Sequence, residues 1–197
     1  MRGRWWRVAA VAVCLVMWLA SPAGAADGSR PRVKLVTSLG EIVIELYPDK
    51  APASVANFLA YVREGFYDGL VFHRVIPGFV IQAGGLDQDL NPRPPTHPPV
   101  RNEADNGLKN RAYTVALART PQPHSATSQF FINLRDNPGL DHTSKTARGW
   151  GYAVFGRVVE GRQVVDRIAA VPTGLRGGYR DVPLKPVVIR KAEVIRP

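Results

Sequence analysis

The chain is broken into short β-branched runs, each ended by glycine, proline or polar turn residues, and only two stretches carry helical spacing. That punctuation restricts it to a β-rich domain with little helix. Val33 to Val36 and Glu41 to Tyr47 flank Thr37-Ser38-Leu39-Gly40, which predicts a hairpin in which Gly40 takes a positive φ. In the second run, alternation places Ile42, Ile44 and Leu46 on one buried face. Further strands are expected over Leu70 to Ile76, Phe79 to Gln82, Tyr113 to Ala118, Gln129 to Leu134, Val154 to Val159 and Val187 to Ile195. The period changes over Ala51 to Glu64, where Val55, Phe58, Leu59 and Val62 share a helix face, Pro52 fits the first turn and Gly65 supplies the stop. A second helix is expected over Gly161 to Ala169, with Val164, Val165, Ile168 and Ala169 as its apolar stripe. Eight short strands and two helices predict a closed eight-stranded antiparallel β-barrel capped by two α-helices, because closure removes exposed sheet edges.

Residues 1–25 read as a cleaved secretory signal. Arg2, Arg4 and Arg7 precede an apolar run of 13 residues, Val8 to Ala20, and Ala23-Gly24-Ala25 supplies small residues for a signal peptidase. A spanning helix needs about 20 apolar residues, so no stable membrane anchor is expected. The periplasm is the expected compartment, with secretion as the alternative. Residues 26–31 form a flexible lead-in, and residues 32–197 form one domain. Cys14 leaves with the signal, so the mature chain has no thiol and must rest on its apolar core.

Three of the ten excess positive charges lie in the first 25 residues, leaving +7 on the mature part. They are scattered, with neither a basic tract nor the aromatic-basic alternation that grips a nucleic acid strand, so nucleic acid is not an expected partner. His73, His97, His124 and His142 have no ligand spacing, and neither a metal nor a cofactor is expected. Gly84-Gly85 lacks the rest of a phosphate-loop pattern, and no serine sits in a nucleophile turn.

The informative stretch is Phe72 to Gly85. It sets Arg74 and Gln82 among aromatic and aliphatic residues on strand-like sequence. Such a combination describes an apolar pocket with a polar tip, suited to a hydrocarbon ring joined to one amide. Proline in a peptide is such a ligand. Two long loops, Gly85 to Arg111 and Asn137 to Gly151, have the length of segments that border a binding site, or of variable surface.

The blocks Phe72 to Gly85, Ala118-Arg119-Thr120, Ser125 to Asn133, Leu140 and Gly151-Tyr152-Ala153-Val154-Phe155-Gly156 resemble those of the cyclophilins, most closely the bacterial periplasmic branch. The resemblance runs in order from about Arg32 to Ile195. It implies a peptidyl-prolyl cis-trans isomerase with no covalent intermediate, acting on proline-containing unfolded or nascent exported polypeptides, and monomeric. It further implies that Arg74 is catalytic and that Gln82 helps hold arginine and substrate backbone. Phe79, Val80, Phe130 and Leu140 match proline-pocket positions, and Ala118, Arg119, Gln129 and Tyr152 match neighbouring substrate contacts. Taken singly, Phe79, Phe130 and Leu140 read more often as core than as pocket, Gln82 reads equally as a core hydrogen-bonder or a ligand contact, and Arg74, a charge within an apolar strand, is less readily explained as half of an ion pair.

Three positions depart from the common pattern. Gly139 stands where many eukaryotic cyclophilins have tryptophan, Tyr152 where they have histidine, and Arg119 where asparagine is frequent. Loss of the indole leads to an expectation of weak cyclosporin binding. Two other functions remain open on sequence: a peptide-binding holdase with little turnover, and a basic barrel acting on nucleic acid.

Overall fold

The computed structural model describes residues 30–195; the leader-like stretch, and with it the expected signal, lies outside the described residues. Strand β1 (Arg32–Thr37) turns into β2 (Gly40–Leu46) through the expected hairpin, with Gly40 at φ 129°. Ile42, Ile44 and Leu46 are fully buried, as their alternation requires. Helix α1 (Pro52–Arg63) starts on its proline and buries Val55, Phe58, Leu59 and Val62. Its first-turn amides have no cap from the preceding residue. Glu103, on the long loop, takes that role, accepting from the amides of Ala53 and Ser54 at 3.0 and 2.8 Å. A carboxylate at a helix N-terminus satisfies orphan donors and meets the positive end of the dipole, so one contact orders both helix and loop.

The chain continues through β3 (Phe72–Ile76), β4 (Val80–Ala83), β5 (Thr114–Leu117), β6 (Phe130–Asn133) and β7 (Val154–Glu160) to helix α2 (Arg162–Ala169). Then come β8 (Thr173–Arg176), β9 (Tyr179–Pro183) and β10 (Ile189–Ile195). Eight strands form one antiparallel sheet in the order β10-β1-β2-β7-β5-β6-β4-β3. Closure is only partial. The two edge strands meet through the isolated bridge between Val71 and Val188, with backbone bonds from Phe72 to Val187 and from Gly69 to Ile189, and no continuous ladder joins them. The expected closed barrel is therefore a curled sheet with a short seam. A second departure is the separate β8–β9 ribbon, which the sequence pattern had not indicated.

Inside the curl, Phe58 sits at the centre of an aromatic cluster. Its ring centroid lies 5.4 Å from Tyr67, 5.3 Å from Phe130 and 5.1 Å from Phe155, joining α1 to β6 and β7. These tilted and edge-on contacts suit aromatic quadrupoles and fill volume that no smaller side chain recovers. Phe58→Ala is expected to lower unfolding free energy by about 3–5 kcal/mol, read from urea unfolding midpoints. A loss below about 1 kcal/mol would contradict a rigid aromatic core.

Candidate active site

The outer face of β3, β4 and β6 carries the polar residues singled out in the sequence. A bulge between Phe72 and Arg74 buries two consecutive residues, Phe72 and His73, and turns Arg74 outward, opposite Gln82 on β4. Bulges re-aim side chains in this way beside functional sites. Val75 and Ile81 are fully buried between these polar positions, as a period of two demands. The Gln82 side-chain amide donates to the Gln129 carbonyl oxygen at 2.8 Å, so the two glutamines hold each other beside the arginine.

Arg74 and Gln82 border a cavity of about 240 Å³ walled by Phe79, Val80, Phe131, Leu140 and Tyr152, with Ala118 and Arg119 at its rim. A neighbouring cavity of about 270 Å³ shares Gln82, Ala118 and Arg119 and adds Gln129. Phe131 meets Tyr152 edge-on at 5.6 Å, and the Arg119 guanidinium lies 4.8 Å from the centre of the Tyr152 ring. The Arg119 side chain is spent on carbonyls: Nε donates to Gly151 O at 2.9 Å, and Nη1 donates to Thr120 O at 3.0 Å. It is a strut for the Tyr152 wall rather than a free donor.

Phe130 requires a correction. It is fully buried on the inner face, edge-on to Phe58 at 5.3 Å and to Tyr67 at 5.5 Å, and the pocket residue is its neighbour Phe131. Successive strand residues face opposite sides of a sheet, so a shift of one position exchanges core for pocket.

Leu140 is held by a short 3₁₀ turn, Pro138–Leu140, whose carbonyl accepts from the Tyr152 amide at 2.9 Å and from Asn110 Nδ2 at 3.0 Å. Asn137 Nδ2 reaches Phe79 O at 3.1 Å and Asn133 Oδ1 at 2.8 Å, and Asn133 Nδ2 reaches Asn110 Oδ1 at 3.2 Å. These three buried asparagines lash the Leu140 turn, the Phe79 turn and β6 together behind the pocket. Gly151, at φ 72°, lets Tyr152 follow closely, since a Cβ there would stand 2.6 Å from the Asp141 carbonyl carbon.

Arg74 keeps its charge available. Among the described residues its acidic neighbour is Asp181, on β9, at 4.0 Å from Nε, and the two side chains are 40 % and 45 % exposed. A solvent-screened pair at that distance holds the guanidinium in place without neutralising it. Asp181 itself adopts φ 60°, an uncommon conformation for a residue with a side chain.

The chain matches the family model described as cyclophilin type peptidyl-prolyl cis-trans isomerase/CLD over residues 32–194. It is 60 % identical over 163 residues to peptidyl-prolyl cis-trans isomerase cyp18 of Streptomyces antibioticus, covering 83 % of this chain and 98 % of that protein. It is 51 % identical over 189 residues to peptidyl-prolyl cis-trans isomerase A of Dickeya dadantii, covering 96 % and 97 %. This chain belongs to the cyclophilin-type peptidyl-prolyl cis-trans isomerases. The cyclophilin fold is also that of a solved Cryptosporidium parvum cyclophilin type isomerase, which superposes with a TM-score of 0.69 at 23 % identity over 85 % of this chain and 99 % of that one.

In this cyclophilin the sequence reading missed Phe131, the asparagine lashing and Asp181. The doublet Phe130-Phe131 gave no phase for the alternation, whereas Asn133, a polar residue ending an apolar strand run, was a signal from which the network could have been found. His73, tucked in by the bulge, is 8 % exposed, and burial, with the Arg74 charge adding to it, pushes its pKa down to about 4. The imidazole is therefore neutral in the folded state where the unfolded chain would hold a proton, and stability drains away as pH falls from 6.5 towards 4. His73→Leu removes this drain, so wild-type stability relative to the variant should fall by about 3 kcal/mol between pH 7 and pH 4 in denaturant titrations. Parallel pH profiles would contradict a buried neutral histidine.

Proposed function

We propose that Arg74 is the catalytic residue of this isomerase, donating hydrogen bonds to the prolyl amide as the Xaa-Pro bond twists. In the planar amide the nitrogen lone pair is shared with the carbonyl, which creates a rotation barrier of about 18–20 kcal/mol. Twisting localises that pair on nitrogen. A fixed, permanently charged fork then binds the twisted state better than the planar one, which is the condition for catalysis without a nucleophile. The reading rests on one observation above others: an un-neutralised guanidinium borders an apolar cavity of about 240 Å³. Phe79, Val80, Phe131, Leu140 and Tyr152 hold the proline ring in this scheme. Gln82, tied to Gln129, steadies the substrate backbone, Ala118 contributes a flat rim and Arg119 acts through its backbone.

The proposed substrates are unfolded exported polypeptides, whose unaided proline isomerisation takes tens of seconds and can limit folding. Residues 1–25 serve as the export signal and are removed, giving a periplasmic monomer. The leader-like composition supports this. Cyclosporin binds weakly, because Gly139 puts no side chain beside Leu140 and no atom lies within 4 Å of where its Cβ would be. Inhibition should need micromolar drug or more, and nanomolar inhibition would contradict the assignment.

Cis-to-trans conversion of a short Xaa-Pro peptide tests the catalytic assignment. One charge-assisted contact is worth about 2–3 kcal/mol, so Arg74→Ala should lower kcat/KM roughly 30- to 150-fold. Undiminished turnover in Arg74→Ala would favour the holdase reading. Lost turnover with retained client binding is the expected result.

A further inference from the structure

The β8–β9 ribbon has no part in the chemistry described so far, yet it overhangs the catalytic arginine. Val182 of β9 is 1 % exposed and packs with Val71, Leu86, Leu90 and Val188, which anchors the ribbon to the seam of the sheet. The remainder stands clear. Leu175, Tyr179 and Leu184 are 72 %, 40 % and 57 % exposed, three of the four exposed large apolar side chains among the described residues. Exposed apolar side chains gathered on one projecting element mark a surface that meets another molecule.

Tyr179, Arg180 and Asp181 of the ribbon and Pro92, Arg93, Pro94 and Pro95 of the long loop line a groove of about 630 Å³. The groove reaches His73, Arg74 and Gln129. Arg74 also borders the ring cavity, and Gln129 also borders the cavity beside it, so the groove runs on from the site where the prolyl amide would sit. The proline wall is stiff, and it is braced from behind. Arg93, between Pro92 and Pro94, donates from Nη1 to Phe66 O at 2.7 Å and to Asp68 O at 3.0 Å. A stiff proline-rich lining with an aromatic side chain binds apolar groups at little ordering cost, with Arg93, Arg180 and Asp181 as its polar members.

We propose that this groove is a second subsite, which receives residues flanking the proline in an extended, unfolded polypeptide and favours large apolar or aromatic side chains there. Resting on the isomerase reading, this names the class of substrate the enzyme prefers: apolar segments that a folded protein would bury. The occupant is the substrate itself because the groove is continuous with the catalytic cavity through Arg74. The ribbon acts as a selector, with Tyr179 as the groove contact and Leu175 as a second exposed apolar side chain on the same ribbon.

The test compares two peptides sharing one Ala-Pro core, one short and one extended on both sides with leucine and phenylalanine, on the mature protein and on Tyr179→Ser/Leu175→Ser. In the wild type the extended peptide should have a kcat/KM about tenfold higher, carried by KM, and the double variant should lose most of that ratio. An extended peptide carrying a benzophenone beside the proline should crosslink to residues 179–181 or 92–95. Turnover of both peptides with no preference in the wild type, an unchanged preference in the variant, or crosslinks confined elsewhere would overturn the subsite while leaving the isomerase reading intact. Wild-type self-association abolished by the double substitution, with no peptide preference, would assign the patch to a second copy of this chain and also overturn it. Inactivity on both peptides would defeat the isomerase reading as well.

Discussion

The site depends on one device, the bulge in β3 that lets a charged side chain leave an otherwise apolar strand without being neutralised. Phe72 and His73 are both buried, and Arg74 emerges opposite Gln82 on the neighbouring strand. A cation buried in the sheet would need a close partner, and in the proposed mechanism such a partner would cancel the field offered to the twisting amide. One fully surrounded by water would be screened. Half exposure beside an apolar cavity, with Asp181 at 4.0 Å, lies between these limits. The same bulge confines His73 as a neutral ring, so the architecture that presents the arginine carries a stability cost in acid.

Rigidity around the arginine comes from two separate systems. Behind the sheet, the aromatic cluster on Phe58 fixes β6 and β7 against α1. In front, the Asn110, Asn133 and Asn137 lashing and the Arg119 strut hold Leu140, Phe79 and Tyr152 in place through backbone carbonyls. Buried polar networks that are satisfied in this way specify a single arrangement. For a reaction without covalent steps, fixed geometry is most of what a protein can contribute beyond the charge itself.

Much of this was legible in the sequence, for physical reasons that differ from element to element. The β1–β2 hairpin and α1 follow from periodicity and from Gly40 and Pro52, where local conformational demands and burial agree. Arg74 and Gln82 stood out because polar residues in apolar strands require an explanation. Phe130 was misplaced because two adjacent phenylalanines leave the phase of a strand undefined, and only cross-strand pairing with Gln82 and Ala83 settles it. The ribbon escaped notice because Thr173 to Pro183 has no apolar alternation; it is held through Val182 and turned by Gly177 and Gly178. Partial closure was equally hidden, since the Val71–Val188 bridge joins residues far apart in the chain.

The most direct test of a cation favouring the twisted amide separates exchange from affinity. Line-shape or exchange NMR on a saturating Xaa-Pro peptide yields the cis-trans rate on the enzyme, and titration yields the dissociation constant, for the wild type and for Arg74→Lys. Lysine keeps the charge but loses the planar fork, so the exchange rate should fall at least about tenfold while affinity changes less than about threefold. Equal losses in rate and affinity, or no loss in rate, would show that the guanidinium binds both states alike and would contradict the account.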